Sequence, residues 1–314
     1  MSKVYGYDPA APGMYEINKI LSDSDLDGIV CAAILLNVYQ QAEVYLTESA
    51  QIRAGELVTG IDSKTVISDL MYIEGCGLYF DHHDSNKPET ESFPGRWQFA
   101  DSASRIVYEY FKHVSDLSLF ADYIQEVDKI DGGKISLADI EQRSPLLDIA
   151  LSIDRNNHAI NQLLVQLFSK YSPQTVWNNQ AIKTYLQETR SKQEQAQSYA
   201  SKHETLLGDL LFIDFSSYAE DLKLHSYLFV SKHKDISAIA IAKPAKDNRV
   251  KIGLYRNTIN PEAKEYDLLN MAKSISPSSA GGHKGACGFA LPANSDLAKI
   301  AQEMRNYLDQ QIID

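Results

Sequence analysis

Two short runs of acids and histidines hold most of the chemistry available to this chain. Asp23-Ser24-Asp25-Leu26-Asp27-Gly28 sets three carboxylates at alternate positions, and Asp81-His82-His83-Asp84 sets two imidazoles between acids. Three aspartates that close repel one another unless a positive charge lies between them. A pair of divalent ions removes the repulsion. Oxygen and imidazole donors suit Mn, Mg, Zn or Fe better than Cu(I) or an iron–sulfur cluster. In an extended segment the three acids would share one face, whereas at a strand-to-loop transition they can converge on two ions. The competing reading is an acidic surface turn or a helix N-cap, where aspartate is also favourable. Gly28 is expected to let the backbone turn tightly into the next element.

Other candidates lie nearby in the pattern. Asp69 follows the apolar run Thr65-Val66-Ile67-Ser68 and either bridges two metals or caps the next turn. His82 offers an imidazole ligand, with a neighbouring carboxylate such as Asp81 to orient it. His83 is expected to face a substrate phosphate. Asp128 and Asp131 compete to supply the last carboxylate, and Asp128 is preferred.

These residues need elements to hold them. Residues 16–21, 43–47, 65–68 and 78–80 read as strands, and residues 28–39 read as a helix with Ile29, Val30, Ala33, Ile34 and Val38 on one broad side. The acids then fall just past strand C-termini, where open α/β sheets bind ligands. Residues 100–113 read as a helix capped near Asp101 or Ser102, and residues 119–127 as another. From 157 to about 207 the chain is rich in Gln, Lys, Glu and Ala, with a break at Ser172-Pro173 and a polar helix over 193–204. Beyond it, residues 210–215, 236–242 and 249–255 read as strands. A helix over 268–274 leads to a glycine-rich loop, and 296–313 is a terminal helix. The organisation expected is an α/β fold in three parts: a mostly parallel-sheet domain (1–190), a helical linker (191–207) and a smaller α/β domain (208–314). The active site is expected in the cleft between the domains.

Composition narrows the function classes. A net charge of -12 argues against broad binding to duplex nucleic acid, which needs a basic footprint. It allows small anionic substrates, because two ions and a few basic groups make a local positive pocket. Three cysteines form no CxxC pair, which fits a reduced, cytoplasmic setting. No apolar run has signal-peptide or bilayer-spanning length. The glycines do not form a Walker A loop, since no GKS or GKT ending is present.

The two runs, with Ser68-Asp69 between them, resemble the motifs of the DHH phosphoesterase superfamily. Ala280-Gly281-Gly282-His283-Lys284-Gly285-Ala286-Cys287-Gly288-Phe289 is similar to the glycine/histidine motif of the DHHA1 domain, with Ala280 where many relatives have glycine. Together the motifs span nearly the whole chain. The resemblance implies that Asp23, Asp25 and Asp69 serve one metal, and that Asp27, Asp69, His82 and Asp128 serve the other. It implies Mn2+ as the usual ion, with Mg2+ as the alternative. The three-aspartate opening looks more like the RecJ branch than the nanoRNase branch, while the short chain and its acidity suit a small substrate.

The expected activity is two-metal hydrolysis of a phosphodiester in a short single-stranded oligonucleotide or dinucleotide, with Asp27, Asp69 and His83 as catalytic residues. Gly281 and Gly282 are expected to offer backbone donors to an anion, with His283 at a phosphate. Arg256 would hold a second phosphate through its planar fork or face solvent at its strand end. Lys284 is a weaker candidate, and Arg105 either reaches the pocket or forms a surface ion pair. The rival readings are an exopolyphosphatase or small-nucleotide phosphomonoesterase, and a non-catalytic metal-dependent phosphate-ligand binder. A nucleotide enzyme should place an aromatic side chain beside the site. No membrane partner is expected, and a homodimer is left open.

Overall fold

The computed structural model describes residues 4–7, 15–55, 60–218, 225–245 and 248–311. It divides into two compact units, Met1–Lys134 with Arg143–Gln187, and Ile135–Gln142 with Glu188–Asp314.

The first unit opens with β1 (Lys19–Asp23), α1 (Leu26–Val38), β2 (Glu43–Thr47), α2 (Ser49–Arg53), β3 (Thr65–Ser68), β4 (Leu78–Asp81) and β5 (Gly95–Trp97). It continues with α3 (Ala103–Phe111) and α4 (Ala121–Asp131). The short α5 (Leu137–Gln142) belongs to the second unit, and α6 (Pro145–Ala150), α7 (His158–Phe168) and α8 (Pro173–Trp177) return to the first. The strands pair in parallel in the order β2-β1-β3-β4-β5. The order reverses between β1 and β3, which places a crevice at their C-terminal ends. Asp23 ends β1, Asp69 follows β3 and Asp81 ends β4.

Burial explains why these strands read as continuous apolar runs. Ile20, Val66, Leu78 and Phe80 join a core with α1, α3, α4 and α7, while their neighbours Leu21, Ile67 and Tyr79 pack with Phe93 and Trp97. Both faces of the sheet are covered, so consecutive positions are apolar instead of alternating. Helix α1 goes further than its sequence pattern: every residue from Leu26 to Leu36 is buried, not one broad side. It is packed against the sheet, α3 and α7, and a helix surrounded in this way is apolar all round.

Helix α4 runs one turn past residue 127 and includes both Asp128 and Asp131. It ends where Gly132 caps it and Gly133 takes φ 66, the left-handed exit that glycine makes without strain.

The boundary between the units falls inside α9 (Gln180–His203), a continuous helix through most of the stretch read as a linker. Residues Glu204–Leu207 form β6, the outer strand of the second sheet. That unit continues with β7 (Leu210–Asp214), α10 (Tyr227–Val230), β8 (Ala238–Ala245), β9 (Arg249–Arg256), α11 (Leu268–Ile275), β10 (Gly281–His283), β11 (Ala286–Pro292) and α12 (Leu297–Gln311). Its sheet is mixed, ordered β10-β11-β9-β8-β7-β6, with β7 and β8 parallel and the other pairs antiparallel. Leu210, Ile252, Leu254 and Phe289 pack with Met271 and Met304 on one face, and Leu211, Ile213 and Ile239 pack with Ala196 and Ala200 on the other. Residues 312 and 313 of the expected terminal helix lie outside the described residues. Among the described residues, no helix is long and apolar enough to cross a membrane.

Candidate metal centre

The strand-to-helix turn after β1 aims its acids by local hydrogen bonding. Asp23 Oδ1 accepts the amides of Ser24 at 2.6 Å and Asp25 at 3.2 Å, and Asp25 caps α1 by accepting the Gly28 amide at 3.1 Å. Gly28 is required for a reason other than the tight turn expected. A Cβ there would lie 2.2 Å from the Asp23 carbonyl oxygen, so only glycine lets the helix start this close to the strand end. Ser22 Oγ donates to the Gly28 carbonyl at 2.7 Å and meets Ser68 Oγ at 2.8 Å, lacing α1 and β3 to β1 just beneath the acids.

Asp27 points the other way. Its buried carboxylate accepts the amides of Ala103 at 2.7 Å and Ser104 at 2.9 Å. These are orphan donors at the N-terminus of α3, where negative charge is favoured. Asp69 is held in the left-handed region, φ 56, with its amide donating to the Phe80 carbonyl at 2.9 Å. Aspartate tolerates that conformation better than most residues.

Three groups of ligand atoms result, each within 4.8 Å of one another: Asp23 with Asp25 and Asp69; Asp27 with His82 and Asp131; and Asp69 with Asp81, His82 and His83. Asp69 belongs to two of them, and its Oδ1 lies 3.9 Å from His82 Nε2.

The two histidines are oriented differently. His82 Nδ1 lies 3.0 Å from the Ala100 carbonyl oxygen. A carbonyl only accepts, so Nδ1 carries the hydrogen and Nε2 of the neutral ring keeps its lone pair. That Nε2 faces Asp131 at 3.2 Å and Asp27 at 3.8 Å. Asp81 does not orient His82 through its ring, contrary to expectation. It binds His83 Nδ1 at 2.9 Å, accepts the amides of His82 at 2.6 Å and His83 at 3.0 Å, and accepts Tyr79 OH at 3.0 Å. His83 is half exposed. Burial works against its charge, but the bond to Asp81 and the surrounding aspartates lift its pKa to about 9.

Asp128, preferred from sequence, stands apart from these groups. It accepts Ser102 Oγ at 2.6 Å and is forked by Arg105, with Nε at 2.9 Å and Nη2 at 2.5 Å. Asp131 stands beside His82 in its place. The reason is the extra turn of α4: three residues further along a helix advance a side chain by about 4.5 Å. Arg105 therefore secures α3 to α4 as an ion pair with Asp128, and also pairs with Glu109 within α3.

The second unit, taken by itself, brings Arg256 and the glycine motif together. Gly281, Gly282 and His283 are the edge strand β10, not a loop, and the Arg256 amide donates to Gly285 in the adjoining turn at 2.8 Å. Gly282 adopts φ 120, and a Cβ on it would meet Cys287 Cα at 2.6 Å. Arg256 is ion-paired with the exposed Glu265 at 2.7 Å.

Arg155 and Phe99 carried no local signal. Arg155, between α6 and α7, reaches Asp23 at 3.0 Å and Asp25 at 2.6 Å from 130 or more residues away. Phe99 is 59% exposed and sits edge-on to Trp97 at 5.0 Å, in the segment whose Trp97 Nε1 donates to the His83 carbonyl and whose Ala100 orients His82.

These donors fit divalent ions. Asp69 Oδ1 and His82 Nε2 are buried and have no hydrogen-bond partner among the described residues. Burial, then the charge of Asp25, pushes Asp23 up to about 8 despite Arg155. Burial and the neighbouring acids raise Asp69 far above the usual carboxylate range, and burial raises Asp27 against the pull of His82 and Ser104. A cation among them favours the charged forms, and the mix of carboxylate oxygen and imidazole suits Mn, Mg, Zn or Fe.

No family model matches the sequence, and no curated protein does. Solved structures do. A pGpG-specific phosphodiesterase, PggH of Vibrio cholerae, superposes with a TM-score of 0.76 at 14% identity, over 93% of this chain and 99% of that one. A DHH domain from the s1p family of ribosomal proteins gives 0.59 at 12% identity, over 93% and 87%. RecJ of Thermus thermophilus, in complex with Mn2+, gives 0.54 at 11% identity over 93% of this chain, which spans about half (52%) of that exonuclease. On these similarities, the chain has the fold of the DHH superfamily.

Proposed function

We propose that this chain is a two-metal phosphoesterase that hydrolyses phosphodiester bonds in short single-stranded oligonucleotides or dinucleotides, with Mn2+ as the working ion and Mg2+ as the alternative. The observation that carries the reading is Asp69: one buried carboxylate, free of hydrogen bonds at Oδ1, shared by an all-carboxylate group and a histidine-containing group. Asp23, Asp25 and Asp69 would hold one ion. Asp27, Asp69, His82 and Asp131 would hold the other, with Asp131 in the role first given to Asp128.

Divalent ions held by these residues would supply Lewis acidity toward the phosphoryl oxygens and lower the pKa of a bound water, making a nucleophile available near neutral pH. The chain's residues prepare that step. The Ala100 carbonyl keeps His82 in its ligating tautomer, and the start of α3 fixes the Asp27 carboxylate. His83, held by its bond to Asp81, is placed to donate a hydrogen bond to the phosphoryl oxygens and a proton to the leaving oxygen. In the second unit, of DHHA1 type in this reading, Gly281, Gly282, His283 and Arg256 recognise a substrate phosphate.

Two features support a short nucleotide. Phe99 presents an exposed ring next to the histidine segment, suited to stacking on a base. The likeness to a pGpG-specific phosphodiesterase extends over 99% of its length.

The test is Mn2+-dependent turnover of RNA and DNA dinucleotides and 5-mers, cyclic dinucleotides, 3'-phosphoadenosine-5'-phosphate and polyphosphate, resolved by product chromatography. Cleavage of dinucleotides or 5-mers that disappears in Asp69→Asn and His82→Gln variants is the expected result. Selective cleavage of polyphosphate or a phosphomonoester would overturn the substrate class and keep the two-metal chemistry. Metal uptake without turnover on any substrate would turn the reading toward a binding protein.

A further inference from the structure

The two ligand groups are not electrostatically equivalent. Arg155 lies on the first. Its Nη1 is 3.0 Å from Asp23 Oδ1, its Nη2 2.6 Å from Asp25 Oδ2, and Nη1 is 3.5 Å from Glu48. The side chain is 27% exposed, and the backbone that carries it is tied down. The buried Asn161 donates Nδ2 to the Asp154 carbonyl at 2.9 Å, and the Asp154 amide donates to Tyr185 OH at 3.2 Å. The guanidinium is placed by the fold and stays charged at any working pH.

Donor by donor, the groups differ. Asp25 accepts Gly28 on Oδ1 and Arg155 on Oδ2, while Asp23 accepts two amides on Oδ1 and the guanidinium on Oδ2 at 3.4 Å. In the second group, the Asp27 oxygens face neutral amides and His82 Nε2 has no hydrogen bond. An ion entering the first group must displace a resident cation from Asp25 and then sit beside it. An ion entering the second meets a free imidazole nitrogen.

Resting on the two-metal reading above, we propose that Arg155 is a built-in competitor for the Asp23/Asp25 position. It makes the two metal positions unequal. The Asp27/His82/Asp131 position fills first, and the Asp23/Asp25 position fills only at higher ion concentration, as the guanidinium gives up Asp25. Arg155 is thus a positioning residue that sets metal affinity, not a ligand.

The experiment is Mn2+ binding to the full chain by titration calorimetry and by the electron paramagnetic resonance signal of free Mn2+, on wild type, Arg155→Gln and Arg155→Lys. Wild type should show two classes of site separated by about tenfold or more. Arg155→Gln should tighten the weaker class by about tenfold and leave the tighter one within about threefold. The lysine variant, a point charge that cannot fork both carboxylates, should fall between. In an Asp131→Asn background, which cripples the tight position, Arg155→Gln should tighten the class that remains. Circular dichroism in saturating Mn2+ checks folding, and if the glutamine variant does not fold, the lysine variant decides through the same shift. Unchanged or weakened second-site affinity on removing the fork overturns the inference while leaving the two-metal reading intact. Absence of Mn2+ uptake by wild type overturns both.

Discussion

The Nδ1 hydrogen of His82 is taken by the carbonyl oxygen of Ala100 at 3.0 Å. That one bond fixes the tautomer of a ring whose Nε2 is lodged among three aspartates, within 3.9 Å of Asp27, Asp69 and Asp131. It also ties His82 to the segment that carries Trp97 and Phe99. His82→Gln removes the imidazole and should lower Mn2+ affinity and turnover by about 100-fold or more, against a smaller loss for changes that only disturb its orientation. Calorimetric titration beside a thermal melt checks this. A large loss of melting temperature with metal affinity intact would make His82 structural.

Asp128 and Asp131 separate cleanly by experiment. Asp131→Asn should cut Mn2+ affinity about tenfold or more with little effect on metal-free stability. Asp128→Asn frees the partly buried fork of Arg105 and should cost roughly 1–3 kcal/mol in urea unfolding, leaving metal affinity near wild type. The reverse pattern would return the ligand role to Asp128.

Asp23 makes a pH prediction whose sign is opposite to that of a carboxylate with a depressed pKa, because burial outweighs its ion pair with Arg155. Its pKa is raised from 3.8 to about 8 in the folded chain, first by burial and then by Asp25. Between those values the folded state holds a proton that the unfolded chain has released, so unfolding releases protons and stability falls as pH rises. Asp23→Asn cannot charge. Measured in EDTA, it should gain stability relative to wild type as pH rises from about 4 to about 8. Saturating Mn2+ should stabilise wild type increasingly over the same range. A difference between the two proteins that stays flat with pH would contradict the raised pKa.

Gly28 and Gly281 form a matched pair for testing close packing. A Cβ on Gly28 meets the Asp23 backbone at 2.2 Å, and one on Gly281 meets nothing within 4 Å. Gly28→Ala should destabilise the fold by about 1–3 kcal/mol or more and weaken metal binding, because the strand end carrying Asp23 must shift. Gly281→Ala should stay within about 0.5 kcal/mol. Equal stability in urea for the two would remove the packing argument.

Phe99 tests the base-stacking part of the proposal. Phe99→Ala should raise KM for a dinucleotide by about tenfold, the value of one base–aromatic stack, with kcat nearly preserved. A phosphodiester with no base should be cleaved as by wild type. Equal loss on both substrates would place Phe99 in support of His82 and His83 instead.

Much of this was legible in local pattern because its physics is local. β2 and β3 have the bounds their apolar runs suggest, and Ser102, one of the two cap candidates, is the N-cap of α3, which starts at Ala103 and not at residue 100. The acids at strand ends converge because parallel strands carry their C-termini to one edge of the sheet. The errors came where one helical turn or one pairing decides. Reading α4 as ending at residue 127 put Asp128 at the exit, when the glycine pair that stops the helix stands one turn later. Reading Gly281-Gly282 as a loop missed that Gly282 is shaped by its contact with Cys287 across an edge hairpin.

What the amino-acid sequence determined alone is the donor set: carboxylates and imidazoles grouped at strand ends, in an order and spacing that limit the chemistry to hard or borderline divalent ions. What only the tertiary structure decided is how each donor is presented. Asp131 rather than Asp128 meets His82, a backbone carbonyl rather than Asp81 sets the His82 ring, and Arg155 lies against Asp25 across 130 residues. Those choices depend on where a helix stops and which distant segment packs over the crevice, and neither leaves a periodic trace in the chain, since side-chain contacts over such separations are set by the packing of whole elements.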